Sequence, residues 1–273
     1  MAYLTNLAKR IISKEYALLL LLLIVQIVLL VTTIPDYGVT FDEPIYLTAA
    51  EEVRQWTSLP LGKVFQAKEI EKHWGADRRD VHPSGMKWLY LLAQSTIFWQ
   101  DDPFYQSRWL TVLGLVLCLT LFFHWVFRRQ ILWTAISLGL LYLLPRFFAH
   151  CHFAATDIPL VICLALLTVC LHEFFSTRHF WICALLLGFL ACLKITGILL
   201  SIPLLCVVLA ENRTVWKKAC KKILLLTLIA GIVFLLLNPD WWFSPISRAR
   251  QFIDFNAHWR EAAPFTVFFN GVF

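Results

Sequence analysis

Long apolar runs separated by short polar intervals dominate this chain. The first run covers residues 17 to 34, with Lys9, Arg10 and Lys14 before it. It is long for a signal-peptide core and no small-x-small cleavage site follows, so it reads as a membrane anchor with a cytoplasmic N-terminus. Further runs cover about 109 to 127, 131 to 149, 158 to 175, 179 to 194, 197 to 211 and 223 to 238. Basic punctuation sets their threading: Arg128 and Arg129 follow one run, Arg178 another, and RTVWKKACKK a third. If each run crosses once, all three basic clusters fall on the cytoplasmic side.

Two stretches strain this count. Residues 179 to 211 are nearly continuous in hydrophobicity, and a single crossing there would put the lysine-rich loop outside. The pattern therefore predicts a tight hairpin at LKITG. A crossing at 86 to 99 would invert everything downstream, so that piece reads as an in-plane or partly re-entrant helix with its aromatic residues at the interface. Between Pro35 and His82 lie nine acidic and six basic residues, which suits the extracytoplasmic side. Within that loop, TAAEEVRQW and AKEIEKHW have the spacing of short amphipathic helices near the interface.

Composition agrees with the pattern. Of 273 residues, 59% are hydrophobic and 15% charged, too few polar groups to cover a water-soluble surface of this size. The predicted fold is all-α: a polytopic membrane protein of about seven transmembrane helices, with amphipathic juxtamembrane helices in its first outer loop. One module spans 1–273, with extracytoplasmic segments at 35–107 and 239–273. The net charge of +6 bears on orientation in the bilayer. Eight scattered cysteines, none in a CxxC pair, read as small buried hydrophobes.

With this threading, FDEP at 41–44, HPSGMK at 82–87, Arg108, PRFFAHCHFAATDIP at 145–159, Lys194 and NPDWW at 238–242 share the outer surface. Ionisable groups at the ends of membrane helices are costly unless solvated or paired, so their gathering marks a candidate site. Plainer readings exist for each. Asp42-Glu43-Pro44 suits a helix N-terminus, Thr156 or Asp157 could cap the next span, and His82 fits a loop. Capping and catalysis are compatible. His150 and His152, two residues apart, do not share a helical face and make a poor metal pair. Arg108 and Lys194 also fit residues that snorkel to lipid headgroups. SRARQFIDFNAHWR after Trp241 and Trp242 reads as an interfacial helix, with Arg248 and Arg250 near lipid phosphates or as a simple anchor.

The order of these motifs resembles the GT-C class of glycosyltransferases that use polyprenyl-phosphate sugars, in particular the protein O-mannosyltransferases and the bacterial aminoarabinose lipid A transferases. The likeness extends over nearly the whole chain, with HPS standing where HPP is usual. Family members carry further spans after this point, and the chain stops at FFNGVF without a charged tail, as the N-terminal, catalytic half of a longer protein would. The resemblance implies an inverting transfer of a sugar from a polyprenyl phosphate to a protein, lipid or glycan hydroxyl.

The resemblance also implies roles. Asp42 is the candidate base, Glu43 orients it or helps ligate a metal, and Asp157 is the second acid of the pocket. Arg108, Lys194 and Arg146 would stabilise the leaving phosphate, and His82 belongs to the substrate-binding loop. A divalent metal ion is the one cofactor left open, and no ligand spacing specifies it. Membrane lipids are implied partners and nucleic acid is not. Short outer loops, and the single Asn-x-Thr at Asn212 in a predicted cytoplasmic loop, favour a bacterial inner membrane with the site facing the periplasm. The competing classes are a transporter or lipid flippase, which would line a midplane path with polar residues, and a non-catalytic subunit of a glycan-assembly complex.

Overall fold

The computed structural model describes residues 2–40, 42–75, 84–97, 101–172 and 177–262. Among them all regular structure is helical. α1 is Ala2–Thr33, α2 Asp42–Thr57, α3 Leu61–Val64, α4 Ala67–Ile70 and α5 Gly85–Thr96. Then come α6 Pro103–Val126, α7 Ile131–Tyr142, α8 Pro145–His150, α9 Asp157–His172 and α10 Thr177–Leu193. α11 Ile195–Glu211, α12 Trp216–Leu237 and α13 Pro245–Ala262 complete the order.

Among the described residues three stretches are long and apolar enough to cross a membrane: Lys14–Asp36, Pro103–Val126 and Arg213–Leu237. The apolar parts of α7, α9, α10 and α11 are shorter than that. The run at 131 to 149 is not one helix. Pro145 cannot continue α7, since it lacks an amide hydrogen and its ring disfavours helical geometry before it, so the chain restarts there as α8. The expected hairpin at LKITG is present as a break at Lys194, whose extended backbone separates α10 from α11. α5, at about 18 Å from twelve residues, is too short to cross and packs against α2, α6 and α10.

Two devices join the apolar helices without hydrophobic contrast against lipid. The first is a polar triad: the Gln26 amide donates to the Thr120 hydroxyl at 2.9 Å, and the Tyr142 hydroxyl donates to Gln26 at 2.9 Å. It ties α1, α6 and α7 together where an unpaired polar group would be expensive. The second is close approach at small residues. A side chain at Gly188 would place its Cβ 2.6 Å from Val233 Cβ and 2.8 Å from the Ala230 carbonyl. α10 and α12 therefore meet almost backbone to backbone. Gly188→Leu is expected to cost about 1–3 kcal/mol by overpacking, read as a lower Tm in detergent; an unchanged Tm would mean that the two helices can part freely.

The bundle sorts charge by end. Trp125 of α6 meets His172 of α9 edge to face at 5.3 Å, and Lys222 of α12 lies 5.3 Å from the Phe180 ring of α10. Arg128, Arg129, Lys217, Lys218 and Lys221 gather at that end. The other end holds Asp42, Glu43, Asp157 and the acidic loop helices.

That acidic end is roofed by aromatic side chains. Trp56 and Trp74 meet edge to face at 5.3 Å, Trp74 contacts Trp88 at 5.5 Å, and Trp242 contacts Trp56 at 6.4 Å. AKEIEKHW is helical as expected, but after α4 it widens into a π-turn at Glu71–Gly75 that buries the consecutive His73 and Trp74. His73 Nδ1 lies 2.9 Å from a Glu52 oxygen. Arg248 of α13 donates to Glu71 at 3.0 Å and lies 3.9 Å from Asp240, so this arginine is held by the first loop rather than left for lipid phosphate.

Candidate functional site

At the start of α2, Asp42 and Glu43 occupy the first turn, where carboxylates favour the exposed amides and the positive end of the helix dipole. Their environments differ. Asp42 is half-buried, whereas Glu43 is 0% and Arg108 2% exposed. Because α6 begins at Pro103, capped by Asp102 accepting from the Phe104 amide at 2.8 Å, Arg108 lies in its second turn on the buried face.

The pair is two-pronged. Arg108 donates from Nε to Glu43 Oε1 at 2.8 Å and from Nη2 to Oε2 at 2.7 Å. It also donates to the carbonyls of Tyr37 at 2.9 Å and Gly38 at 2.7 Å. Glu43 in turn accepts from the amides of Thr40 at 2.9 Å and Ala154 at 3.1 Å, and from the Thr40 hydroxyl at 3.2 Å. The guanidinium lies between Phe153 and Tyr105, 5.6 Å and 6.0 Å from their ring centres. Burial alone would raise the Glu43 pKa. The Arg108 hydrogen bond, the Thr40 and Ala154 amides and the arginine charge outweigh it and hold the carboxyl below its ordinary value.

This cluster gives Arg108 a different place from the one expected. Four of its five N–H groups are spent on Glu43 and the 37–38 backbone, so it does not join Lys194 as a phosphate ligand. Nor does Glu43 suit a metal: its two oxygens accept five hydrogen bonds with a guanidinium alongside. Among the described residues no group of three or more His, Cys, Asp or Glu is placed to hold a metal ion.

The 150–157 segment is pinned from both sides. His152 is buried, stacks on Tyr37 at 4.2 Å, and has Nδ1 2.7 Å from the Phe148 carbonyl and Nε2 2.6 Å from the Thr33 hydroxyl. Burial lowers its pKa against the opposing effect of the backbone bonds. A carbonyl only accepts, so in the neutral ring Nδ1 carries the proton and Nε2 accepts from Thr33. His150 turns the other way, with Nδ1 3.5 Å from Asp157 Oδ2. Lys194 Nζ lies 3.5 Å from Asp157 Oδ1. These three side chains are 35%, 51% and 41% exposed, an open cluster beside the sealed one. Arg146 is exposed on α8, and His82 lies outside the described residues.

Position 42 adjoins Glu43, and Asp157 is three residues from Ala154, whose amide Glu43 accepts. The structure thus brings Asp42 and Asp157 to one end of the bundle. A cleft of about 180 Å3 runs between α5, α6, α9 and α10; Ala154 and Pro159, to either side of Asp157 in the chain, are on its wall with Met86, Tyr90, Thr111 and Phe189. Its Tyr90 hydroxyl donates to the Ala154 carbonyl at 3.2 Å, so the same residue joins the cleft to the Glu43 network. Tyr90 and the His152–Thr33 contact had no signal in the sequence beyond an aromatic or histidine near a helix end.

The amino end of α5 is fastened from far along the chain. The Ser84 amide donates to Asn238 Oδ1 at 2.9 Å, its hydroxyl donates to the Leu237 carbonyl, and Trp88 Nε1 donates to that carbonyl at 2.9 Å. Asn238 also donates to Cys192 Sγ at 3.2 Å and the Phe234 carbonyl at 2.7 Å. Ser84 and Asn238, 154 residues apart in the chain, are therefore fastened into one unit. All eight cysteines are free, and Cys206 is exposed rather than buried.

No protein-family model, curated protein or solved structure matches this chain. Its fold and site define an all-helical protein with three helices able to cross a membrane, a closed Glu–Arg pair at one end, and a half-buried carboxylate beside it.

Proposed function

We propose that the chain is a membrane glycosyltransferase that moves a sugar from a polyprenyl phosphate to an acceptor hydroxyl on the extracytoplasmic side. The observation that carries this reading is the juxtaposition of three environments at one end of the bundle: a half-buried acid, an open cation–acid pair and an apolar cleft. A lipid-linked sugar needs the same three. In this reading each of the seven apolar runs crosses the membrane, the run at 131 to 149 by α7 and α8 together, and the acidic end faces the periplasm of a bacterial inner membrane, opposite the basic end.

Asp42 removes the acceptor proton as the hydroxyl oxygen attacks the anomeric carbon. The bond from that carbon to the phosphate oxygen breaks, and its electron pair leaves with the lipid phosphate. Attack opposite the departing group inverts the sugar carbon. Glu43 and Arg108 do not touch the sugar; they fix the first turn of α2 and so aim Asp42. Lys194, with Arg146 of α8 as a second cation, balances the developing phosphate charge, and Asp157 holds Lys194 in place. The hydrocarbon chain enters the cleft beside Tyr90.

The test is to reconstitute the full chain with polyprenyl-phosphate-linked sugars and cell-derived acceptors and to follow release of polyprenyl phosphate by mass spectrometry. Donor-dependent release together with a sugar-bearing product is expected. Movement of the intact donor across the bilayer without release would replace the enzyme by a flippase.

Lys194→Ala tests the phosphate role. Its ion pair is half-exposed and stabilises the fold by less than about 1 kcal/mol, so Tm should hardly move. Donor KM should rise about tenfold or kcat fall comparably, the cost of one charge-assisted contact of about 1.5–3 kcal/mol. A change in Tm alone would remove Lys194 from the phosphate site.

A further inference from the structure

At the opposite end from Asp42, α6 ends in a turn that spends glycine-like geometry on arginine. The Arg129 amide donates back to the His124 carbonyl at 2.7 Å and the Arg128 amide to the Trp125 carbonyl at 3.0 Å, a helix-ending motif whose left-handed position ordinarily takes glycine. Here Arg128 has φ 50° and Arg129 φ 70°, the only non-glycine residues with positive φ among those described. Both are exposed, and neither forms an ion pair with a carboxylate among the described residues. Their charges favour the carboxyl end of α6 only modestly, and that effect does not require two adjacent left-handed positions to carry arginine.

Beside them lies an open groove of about 440 Å3 lined by Val126, Phe127, Arg128, Gln130 and Trp133. Val126 and Trp133 are 43% and 51% exposed, and the Gln130 side chain does not cap α7, whose first amides face the same junction. The groove sits where the apolar helices α6 and α7 adjoin; in the threading proposed above, which this inference takes over, that is the depth where a bilayer changes from hydrocarbon to headgroups. It pairs cations and amide donors with an apolar wall. A soluble anion would use only the first; an amphiphile uses both.

We propose that this groove binds the headgroup of an anionic phospholipid, its phosphate against Arg128, with the exposed Arg129 next in the chain adding a second positive charge at the rim, and its glycerol and upper acyl carbons against Trp133 and Val126. The site is independent of the catalytic reading and of any sugar donor. The other basic residues of this end, on α12, do not line this groove and contribute diffuse attraction.

The test uses the full chain in nanodiscs of phosphatidylcholine containing graded phosphatidylglycerol, with bound lipid counted by native mass spectrometry and Tm followed in parallel. The variant is Arg128→Gly with Arg129→Asn, which relieves the left-handed strain and so preserves the fold. In pure phosphatidylcholine its Tm should equal or exceed that of the wild type. Its affinity for phosphatidylglycerol should fall by at least about tenfold, the loss of two surface cations, and the lipid-dependent rise in Tm should vanish. Lys217→Gln with Lys218→Gln, an equal charge change on α12, should lose less than threefold, about the effect of screening alone. Retained lipid binding in the arginine variant, an equal loss in the lysine variant, or the same rise in Tm with inorganic phosphate would each overturn the proposal.

Discussion

Asp42→Asn is expected to reduce sugar transfer by about 10²–10⁴-fold, the usual contribution of a positioned general base, with Tm changed by no more than a degree or two. Asparagine keeps the size and the acceptor oxygen of aspartate at the first turn of α2, so the helix start persists. It cannot accept a proton. The split between the two measurements carries the argument: if the acid only began the helix, asparagine would serve as well, and both Tm and turnover per folded molecule would stay intact. Transfer at the wild-type rate by the purified variant would take the base role from Asp42. Donor binding should be unaffected, since the phosphate contacts lie with Lys194.

Glu43→Gln should have the opposite signature, a large loss of folded protein. Its partner Arg108 is 2% exposed, and removing one member of a buried pair typically costs about 3–5 kcal/mol because the remaining charge is left uncompensated. By the scaling for chains of this size that is roughly 10 °C in Tm. The variant Glu43→Leu with Arg108→Met, apolar on both sides, should recover much of the loss. If it is no more stable than Glu43→Gln, the carbonyls of Tyr37 and Gly38 depend on the guanidinium more than the carboxylate does. The pair also predicts a pH dependence. Glu43 is held below its ordinary pKa of 4.5 in the folded chain, so the unfolded chain binds its proton first on acidification. The stabilisation is complete above about pH 4.5 and drains away as pH falls toward the folded value.

Hydrophobic periodicity and charge placement made most of the helices legible. The runs at 109 to 127 and 223 to 238 match the cores of α6 and α12, and LKITG marks the break at Lys194, because lipid-facing helices must be apolar throughout and their ends must be basic or polar. Pro145 carried the signal that the 131 to 149 run would break, outweighed there by hydrophobicity. The candidate site was legible as a set of positions at one end and not as a set of contacts. Nothing in the sequence says that Arg108 faces Glu43 rather than a ligand: both pairings neutralise a buried cation, and only the three-dimensional register of α2 against α6 decides between them. Likewise His150 and His152 look equivalent in sequence, yet one pairs with Asp157 at 3.5 Å and the other stacks on Tyr37.

The fastening of Ser84 and Trp88 to Leu237 and Asn238 has a consequence for how the chain matures on the ribosome. At about 5–20 residues per second, the 154 residues between Ser84 and Asn238 take roughly 8–30 s to translate. Through that interval the amino end of α5 lacks its hydrogen bonds to Leu237 and Asn238, although α2, α6 and α10, against which α5 also packs, are all made before α12 is complete. The pocket is therefore assembled late, by the arrival of α12, and a nascent chain halted before residue 237 would carry Asp42 without the frame that shapes its surroundings.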